Sequence, residues 1–322
     1  LNSKLHIAQR ITGIQSDEDF DAVAKEWFEK QVSECAPYQE FTSHLRARAV
    51  HFEHPFLPVE LFKNHRVSTS KQAKATFYSS GTQKSGRSAH HVYDLDLYNT
   101  LSVHHFESLY GPLSDFVVLA LLPSYLENGD SSLVYMVDQF IQRAKPGSEF
   151  VLNKPEVLTQ ILNEKATEKI LLIGVSYALL DYADMHRTNH SQLIVMETGG
   201  MKGRREELTR QELHQRIRKG FPQAEIHSEY GMTELLSQAY SKDGTWFIPP
   251  KWMRVEAIDI SDPLHVLPRG KRGLLAFTDL GNRYSCSFIQ TKDIGYVSPE
   301  GSFVVEGRLD TSDLRGCNLL YT

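Results

Sequence analysis

The sequence predicts an α/β fold: a doubly wound, mostly parallel sheet with helices on both faces, followed by a β-rich C-terminal subdomain. Three observations carry this. Apolar runs such as "FVVLALLPS" (116–124) and "KILLIGVSY" (169–177) have no polar alternation, as expected of strands covered on both faces. They alternate with segments of helical period, the order of a parallel α/β sheet. Beyond residue 245 the pattern changes to short β-prone runs separated by Pro, Gly and Asp, the mark of antiparallel pairing.

In chain order, "SDEDFDAVAKEWFEKQVSE" (16–34) reads as an amphipathic helix capped by Ser16 or Asp17, with Phe20, Val23, Trp27 and Val32 on one face. "ATFYSS" (75–80) reads as a buried strand, and "DLDLYNTLSVHHFESLYG" as a helix starting near Asp94. After the 116–124 strand come a helix capped by Ser131, a helix with Pro155 in its first turn, and the 169–177 strand. "SQLIVMETGG" (191–200) is a strand, "TRQELHQRIRKGF" a helix capped by Thr209, and "AEIHSEYG" (224–231) a strand. "WMRVEAIDI", "GLLAFTDL", "CSFIQTKDIGYV" and "SFVVEGRL" form the later β-rich part. The expected division is a helical segment over 1–70, an α/β core over 71–245 and a β-rich subdomain over 246–322.

A formal net charge of −5 with scattered cations argues against nucleic-acid binding. Three widely spaced cysteines, Cys35, Cys286 and Cys317, exclude a disulfide framework and a CxxC metal knuckle. No apolar run reaches membrane-spanning length and the N-terminus has no signal core, so a cytoplasmic protein is expected. The absent initiator Met leaves two expectations, a trimmed start or a boundary of the expressed piece. His90–His91 and His104–His105 are neighbours that point apart on a strand or helix, so neither pair is expected to chelate one metal ion.

The stretch "ATFYSSGTQKSGRSAHH" (75–91) puts a loop rich in Ser, Gly, Thr and Lys directly after a strand, suited to phosphate oxygens. Residues 81–88 read as a Walker A loop only if Arg87 replaces its lysine, with "QLIVME" (192–197) as a Walker B strand ending in Glu197. A plain polar loop is the simpler alternative.

Four segments in order, "YSSGTQKSG", "SEYGMTE" (228–234), "TKDIGYV" (291–297) and "GRLDTSDLRG" (307–316), resemble the successive signatures of the adenylate-forming superfamily. Within it, the chain end "GRLDTSDLRGCNLLYT" is most similar to the acyl-protein synthetase of the bacterial luciferase fatty-acid reductase, a relative of phenylacetate–CoA ligases. The resemblance covers about residue 75 to the C-terminus and implies ATP and Mg²⁺ as cofactors. It implies a carboxylic, in that family fatty, acid as substrate and a reductase or acyl-transferring protein as partner. Ser79, Ser80, Gly81 and Thr82 would meet the β- and γ-phosphates together with Lys84 or Arg87. Gln83 departs from the family's second Thr.

The same resemblance sets Tyr230 against adenine, with Gly231 and Met232 beside the nucleotide. Thr233 would donate to the α-phosphate and Glu234 would hold Mg²⁺. Gly199 and Gly200 of "ETGG" would border the adenine, unless they form a plain turn. Asp293 and Arg308 would hold the ribose or phosphate. Family members continue past "GR-x-D" into a lid domain with a lysine, and a complete chain ending at Thr322 is expected to lack it. Cys317 matches the acyl-accepting cysteine, with Arg315 lowering its pKa. Tyr93, Tyr98 and Phe106 are candidates to border the acyl group. A coenzyme A ligase, a P-loop NTPase and a non-catalytic nucleotide-binding module are the alternatives.

Overall fold

A computed structural model describes residues 2–47, 53–80, 86–123, 129–199 and 208–309. The chain opens with three helices, α1 (Asn2–Thr12), α2 (Asp17–Glu34) and α3 (Ala36–Ala47), then a short strand β1 (Leu57–Pro58) and helix α4 (Leu61–Asn64). A hairpin follows, β2 (Ala75–Tyr78) and β3 (Ala89–Val92). Next come α5 (Leu95–Tyr110), β4 (Phe116–Leu121), α6 (Ser132–Ile141), β5 (Glu149–Phe150), α7 (Pro155–Glu164) and β6 (Lys169–Val175). Then follow α8 (Ser176–Met185), β7 (Leu193–Thr198), α9 (Arg210–Gly220), β8 (Glu225–Tyr230) and β9 (Ala239–Ser241). The chain's last described strands are β10 (Met253–Ile258), β11 (Gly273–Asp279), β12 (Phe288–Val297) and β13 (Phe303–Arg308).

The expected sheet is present, in the order β5-β4-β6-β7-β8-β9. Its first five strands are parallel and β9 runs antiparallel to β8. Every residue of β4 is buried, which explains its unbroken apolar run. Helices lie on both faces. Glu197 of β7 meets Arg210 and His214 of α9, whereas Thr198, one residue on, faces the side where Tyr98 and Met136 of α5 and α6 lie.

The later strands form the second sheet, β10-β11-β12, with β1 and β13 paired to successive parts of β12. Helix α2 starts at Ser16 with a capping box, a local device worth about 1 kcal/mol. It then docks on this distant sheet. Trp27 Nε1 donates to the Leu280 carbonyl at 2.9 Å, and Gln31 bonds the Asn282 carbonyl and Ser287. The first 70 residues thus share one apolar core with the C-terminal strands. The parallel sheet and its helices build the other.

Three differences from the sequence expectation matter. Residues 75–78 do not join the parallel sheet. They pair with Ala89–Val92 as a half-exposed two-stranded hairpin, and only Phe77 is buried. The polar loop therefore connects two antiparallel strands rather than a strand and a helix, which removes the Walker A reading. Second, helix α8 follows β6 directly; "SYALLDYADM" is buried over most of its surface and has no side-chain cap, so it carries neither an amphipathic period nor a start signal. Third, Phe106 packs in the core against Phe116, Phe140 and Tyr240, and Tyr93 packs on Tyr284. Of the three aromatic candidates only Tyr98 lines the cleft described next.

Candidate functional site

A cleft opens at the C-terminal ends of β7 and β8, the end at which open α/β sheets bind ligands. Its volume is about 140 Å³. Tyr78, Ser80 and Arg87 stand at the hairpin loop, Tyr98 on α5, Ser131 to Met136 at the start of α6, Thr198 and Gly199 at the end of β7, Glu229 near the end of β8, and Gly231 to Thr233 and Gln238 beyond it. Segments that lie far apart in sequence thus share one wall.

The neck of the polar loop is closed by reciprocal backbone bonds and by Arg87. Ser79 N–H donates to the Ser88 carbonyl at 3.0 Å, and Ser88 N–H donates to Ser79 Oγ at 2.9 Å. Arg87 donates to the Ser79 and Tyr78 carbonyls, pairs with Asp130 at 3.3 Å and covers the Tyr78 ring. Arg87 therefore braces the loop's base. Gly81, Thr82 and Lys84 lie outside the described residues, as do Gly200 and Cys317.

After β7 the chain turns through Gly199, whose φ of 65° disfavours any side chain. Ser176 at the start of α8 fixes this turn, its hydroxyl donating to the Gly199 carbonyl at 2.8 Å and lying 3.2 Å from Glu197. On the opposite face of the strands, Thr198 and Glu229 are register partners, and the Thr198 hydroxyl donates to Glu229 Oε2. Burial, with Glu197 nearby, pushes the Glu229 carboxyl up to about 7.

The "EYGMTE" segment is held from two sides. His90 of β3 donates from Nδ1 to the Thr233 carbonyl at 2.8 Å, which joins the hairpin to the turn. Asp279 accepts from the amides of Leu236 and Ser237 at 2.8 and 2.9 Å, and Asn282 donates to the Glu234 carbonyl. Tyr230 points to the second sheet. Its ring stacks on Phe277 at 5.4 Å and its hydroxyl donates to Asp293 Oδ2 at 2.7 Å. Arg308, the register partner of Asp293, lies 3.8 Å from Oδ1. One face of the Tyr230 ring is thus already occupied by protein.

Glu234 is buried with the Ser88 hydroxyl as a hydrogen-bond partner, and burial raises its pKa. Burial likewise raises that of Asp293 despite Tyr230 and Arg308. Carboxylate oxygen is the ligand type Mg²⁺ takes, one or two from the protein with the rest of its shell from phosphates and water, and Glu234 adjoins the cleft-lining Thr233. The histidine pairs are committed elsewhere. His91 bonds Thr76, and His105 bonds the Ile248 carbonyl. Both remaining described cysteines are buried, and burial raises their thiol pKa values.

Sequence reasoning missed four residues here: His90 as the anchor of Thr233, Thr198, Glu229 and Gln238. Period-two alternation offered one clue, since Glu229 precedes Tyr230 in a strand and so faces the other way.

Solved structures share this fold. A 2-hydroxyisobutyryl-CoA ligase, determined in an open conformation with 2-HIB-AMP and CoA, superposes with a TM-score of 0.65 at 12% identity, covering 92% of this chain and 70% of that one. ATP-bound MatB from Rhodopseudomonas palustris gives 0.53 at 17%, covering 73% and 48%. The long-chain-fatty-acid–CoA ligase FadD1 from Archaeoglobus fulgidus gives 0.52 at 14%, covering 76% and 53%. The likeness, at 12–17% identity, is one of fold. The chain spans about half the length of MatB and FadD1. No family model matches it, and no curated protein matches its sequence.

Proposed function

We propose that the chain is an ATP-dependent, adenylate-forming ligase acting on a carboxylic acid. The observation that carries this reading is the convergence of Ser80, Gly199 and Gly231 to Thr233 on one cleft, with Tyr230 tied to Asp293 beside it. A carboxylate oxygen attacks the α-phosphorus of ATP, the bond to the β-phosphate oxygen breaks, and pyrophosphate leaves an acyl-AMP. A thiolate then attacks the acyl carbon, the carbon–oxygen bond breaks, and AMP departs as a thioester forms.

Backbone donors and cations aimed at the phosphates lower the barrier between two anions. Ser79, Ser80, Gly81, Thr82 and Lys84 are assigned to the β- and γ-phosphates, and Thr233 to the α-phosphate. Glu234 would hold Mg²⁺, which supplies charge neutralisation at the phosphates when bound. Gly199, Gly200, Tyr230, Gly231 and Met232 border the nucleotide base, and Asp293 with Arg308 takes the ribose.

The thiol in this proposal is Cys317, by resemblance of the chain end to the luciferase-pathway synthetases; coenzyme A is the second reading, favoured by the 2-hydroxyisobutyryl-CoA ligase structure with CoA. The test is to incubate the protein with ATP, coenzyme A and labelled acids. AMP and pyrophosphate as products support the adenylate route; ADP and phosphate would overturn it. Hydroxylamine-sensitive label on the protein that disappears in Cys317→Ser assigns the acceptor, and label appearing only on coenzyme A removes Cys317 from the mechanism.

A further inference from the structure

The end of the cleft away from the hairpin loop has two unlike walls. One is apolar, formed by Tyr98, Leu133 and Met136. The other is polar, formed by Thr198, Glu229 and Gln238, and it is deeply enclosed: Glu229 is 6% exposed and Gln238 5%. Thr198 occupies Glu229 Oε2, which leaves Oε1 for another partner. Gln238 makes one long amide contact, to the Leu236 carbonyl at 3.4 Å, and its Oε1 has no hydrogen-bond partner among the described residues.

Gly231 keeps both groups accessible. A Cβ there would lie 2.5 Å from Glu229 Oε1 and 3.6 Å from Gln238 Cγ. Buried polar atoms without partners are rare and costly in native proteins, and the Gln238 oxygen, with Glu229 beside it, lines an open cleft rather than a sealed core. A long alkyl tail laid against this enclosed wall would leave Glu229 and Gln238 facing hydrocarbon, whereas a short substituted chain can bond them.

We propose that this end of the cleft binds a short carboxylic acid whose carbon chain bears a hydrogen-bond donor, a hydroxyl or an amino group, recognised by Glu229 and Gln238. The inference rests on the adenylating reading of the cleft given above and replaces its fatty acid with a polar one. A hydroxyl satisfies the Gln238 oxygen and shares a proton with Glu229. An ammonium group satisfies the same atoms and draws Glu229 to its ionised form. Burial pushes the Glu229 carboxyl up to about 7, with Thr198 donating to it and Glu197 near on the other face of the strands, so either form is reachable. A methyl group in the donor's place would leave the buried acceptors dry, which lowers affinity at least tenfold by the usual cost of an unmade buried hydrogen bond.

The test uses the full chain and four-carbon acids substituted at carbon 2, 3 or 4 with hydroxyl, amino or methyl, with dodecanoate alongside. Calorimetric binding and acid-dependent ATP–pyrophosphate exchange are read for each. The expected result is one position at which the hydroxyl or amino acid binds at least tenfold tighter than the methyl isostere. That ratio falls towards one in Gln238→Leu and changes in Glu229→Gln, which preserves shape. Equal binding of the methyl series at every position, binding of no acid, or tightest binding of dodecanoate overturns the inference. Binding of a hydroxy or amino acid without exchange upholds it and overturns the adenylating reading instead.

Discussion

Tyr230 and Asp293, 63 positions apart in sequence, meet through a 2.7 Å hydrogen bond that ties the end of β8 in the parallel sheet to β12 in the second sheet. The Tyr230 ring stacks on Phe277 while its backbone leads into the Gly231–Thr233 wall of the cleft. One phenol thus connects both sheets at the site where the nucleotide is proposed to bind.

Tyr230→Phe leaves the buried Asp293 carboxylate without its donor, so the Asp293 pKa climbs further from its already raised position. We expect a loss of about 1–3 kcal/mol in urea unfolding at pH 7, the usual penalty for such an orphaned group. Asp293→Ala is expected to weaken ATP binding by roughly tenfold or more, measured by calorimetry.

Gly231→Ala places a Cβ 2.5 Å from Glu229 Oε1. Glu229 is buried and held by Thr198, so it has little room to yield. We expect acid-dependent turnover to fall at least tenfold, with KM for the acid rising, and a stability loss of about 1–3 kcal/mol. Steady-state kinetics beside a thermal melt separate the two effects.

His90 and His105 weaken the fold in acid, since burial lowers their pKa values from 6.5 to about 4, and His54, His91 and His227 act in the same direction. Between those values the unfolded chain binds protons that the fold refuses, so stability falls as pH drops from 6.5 towards 4. The loss is on the order of 3 kcal/mol for each of His90 and His105 at full extent. Urea midpoints at pH 7 and pH 4.5 check this, and His105→Gln removes part of the slope.

Glu229 acts in the other direction. Its raised pKa means that the fold keeps a proton the unfolded chain releases, so its contribution is fully present below 4.5 and is lost as pH rises to about 7. Glu229→Gln, which keeps a neutral side chain beside Thr198, Glu197, Tyr98 and Tyr240, is expected to gain stability over wild type as pH rises from 4.5 to 7. The gain is on the order of 3 kcal/mol at most. Thermal melts across pH 5 to 8 read it directly.

Most of the parallel sheet was legible in the sequence because β4 is apolar throughout, β6 is apolar after Lys169, β7 is apolar up to Glu197, and helices such as α9 carry their own caps, Thr209 with Glu212 completing a capping box. Helix α8 was not, since a helix buried nearly all round shows no period. Residues 75–80 read as a buried strand because Phe77 and Tyr78 are β-prone; the pairing of β2 with the His90–His91 segment depends on a partner strand that local pattern does not reveal. At the site, the short motifs pointed to Tyr230 and Asp293, and the structure joins them. Glu229 and Gln238 escaped because their role depends on which face of the cleft they reach, and a motif read along the chain does not report faces.

The proposed reaction joins ATP to a carboxylic acid in this cleft. Acid-dependent exchange of labelled pyrophosphate into ATP tests it most directly, because exchange requires a reversible acyl-AMP and no thiol acceptor. Exchange that needs a carboxylic acid and Mg²⁺, and that falls by at least tenfold in Glu234→Gln, is the predicted result. ATP binding with no exchange across a broad panel of acids, in protein shown to be folded, would contradict it.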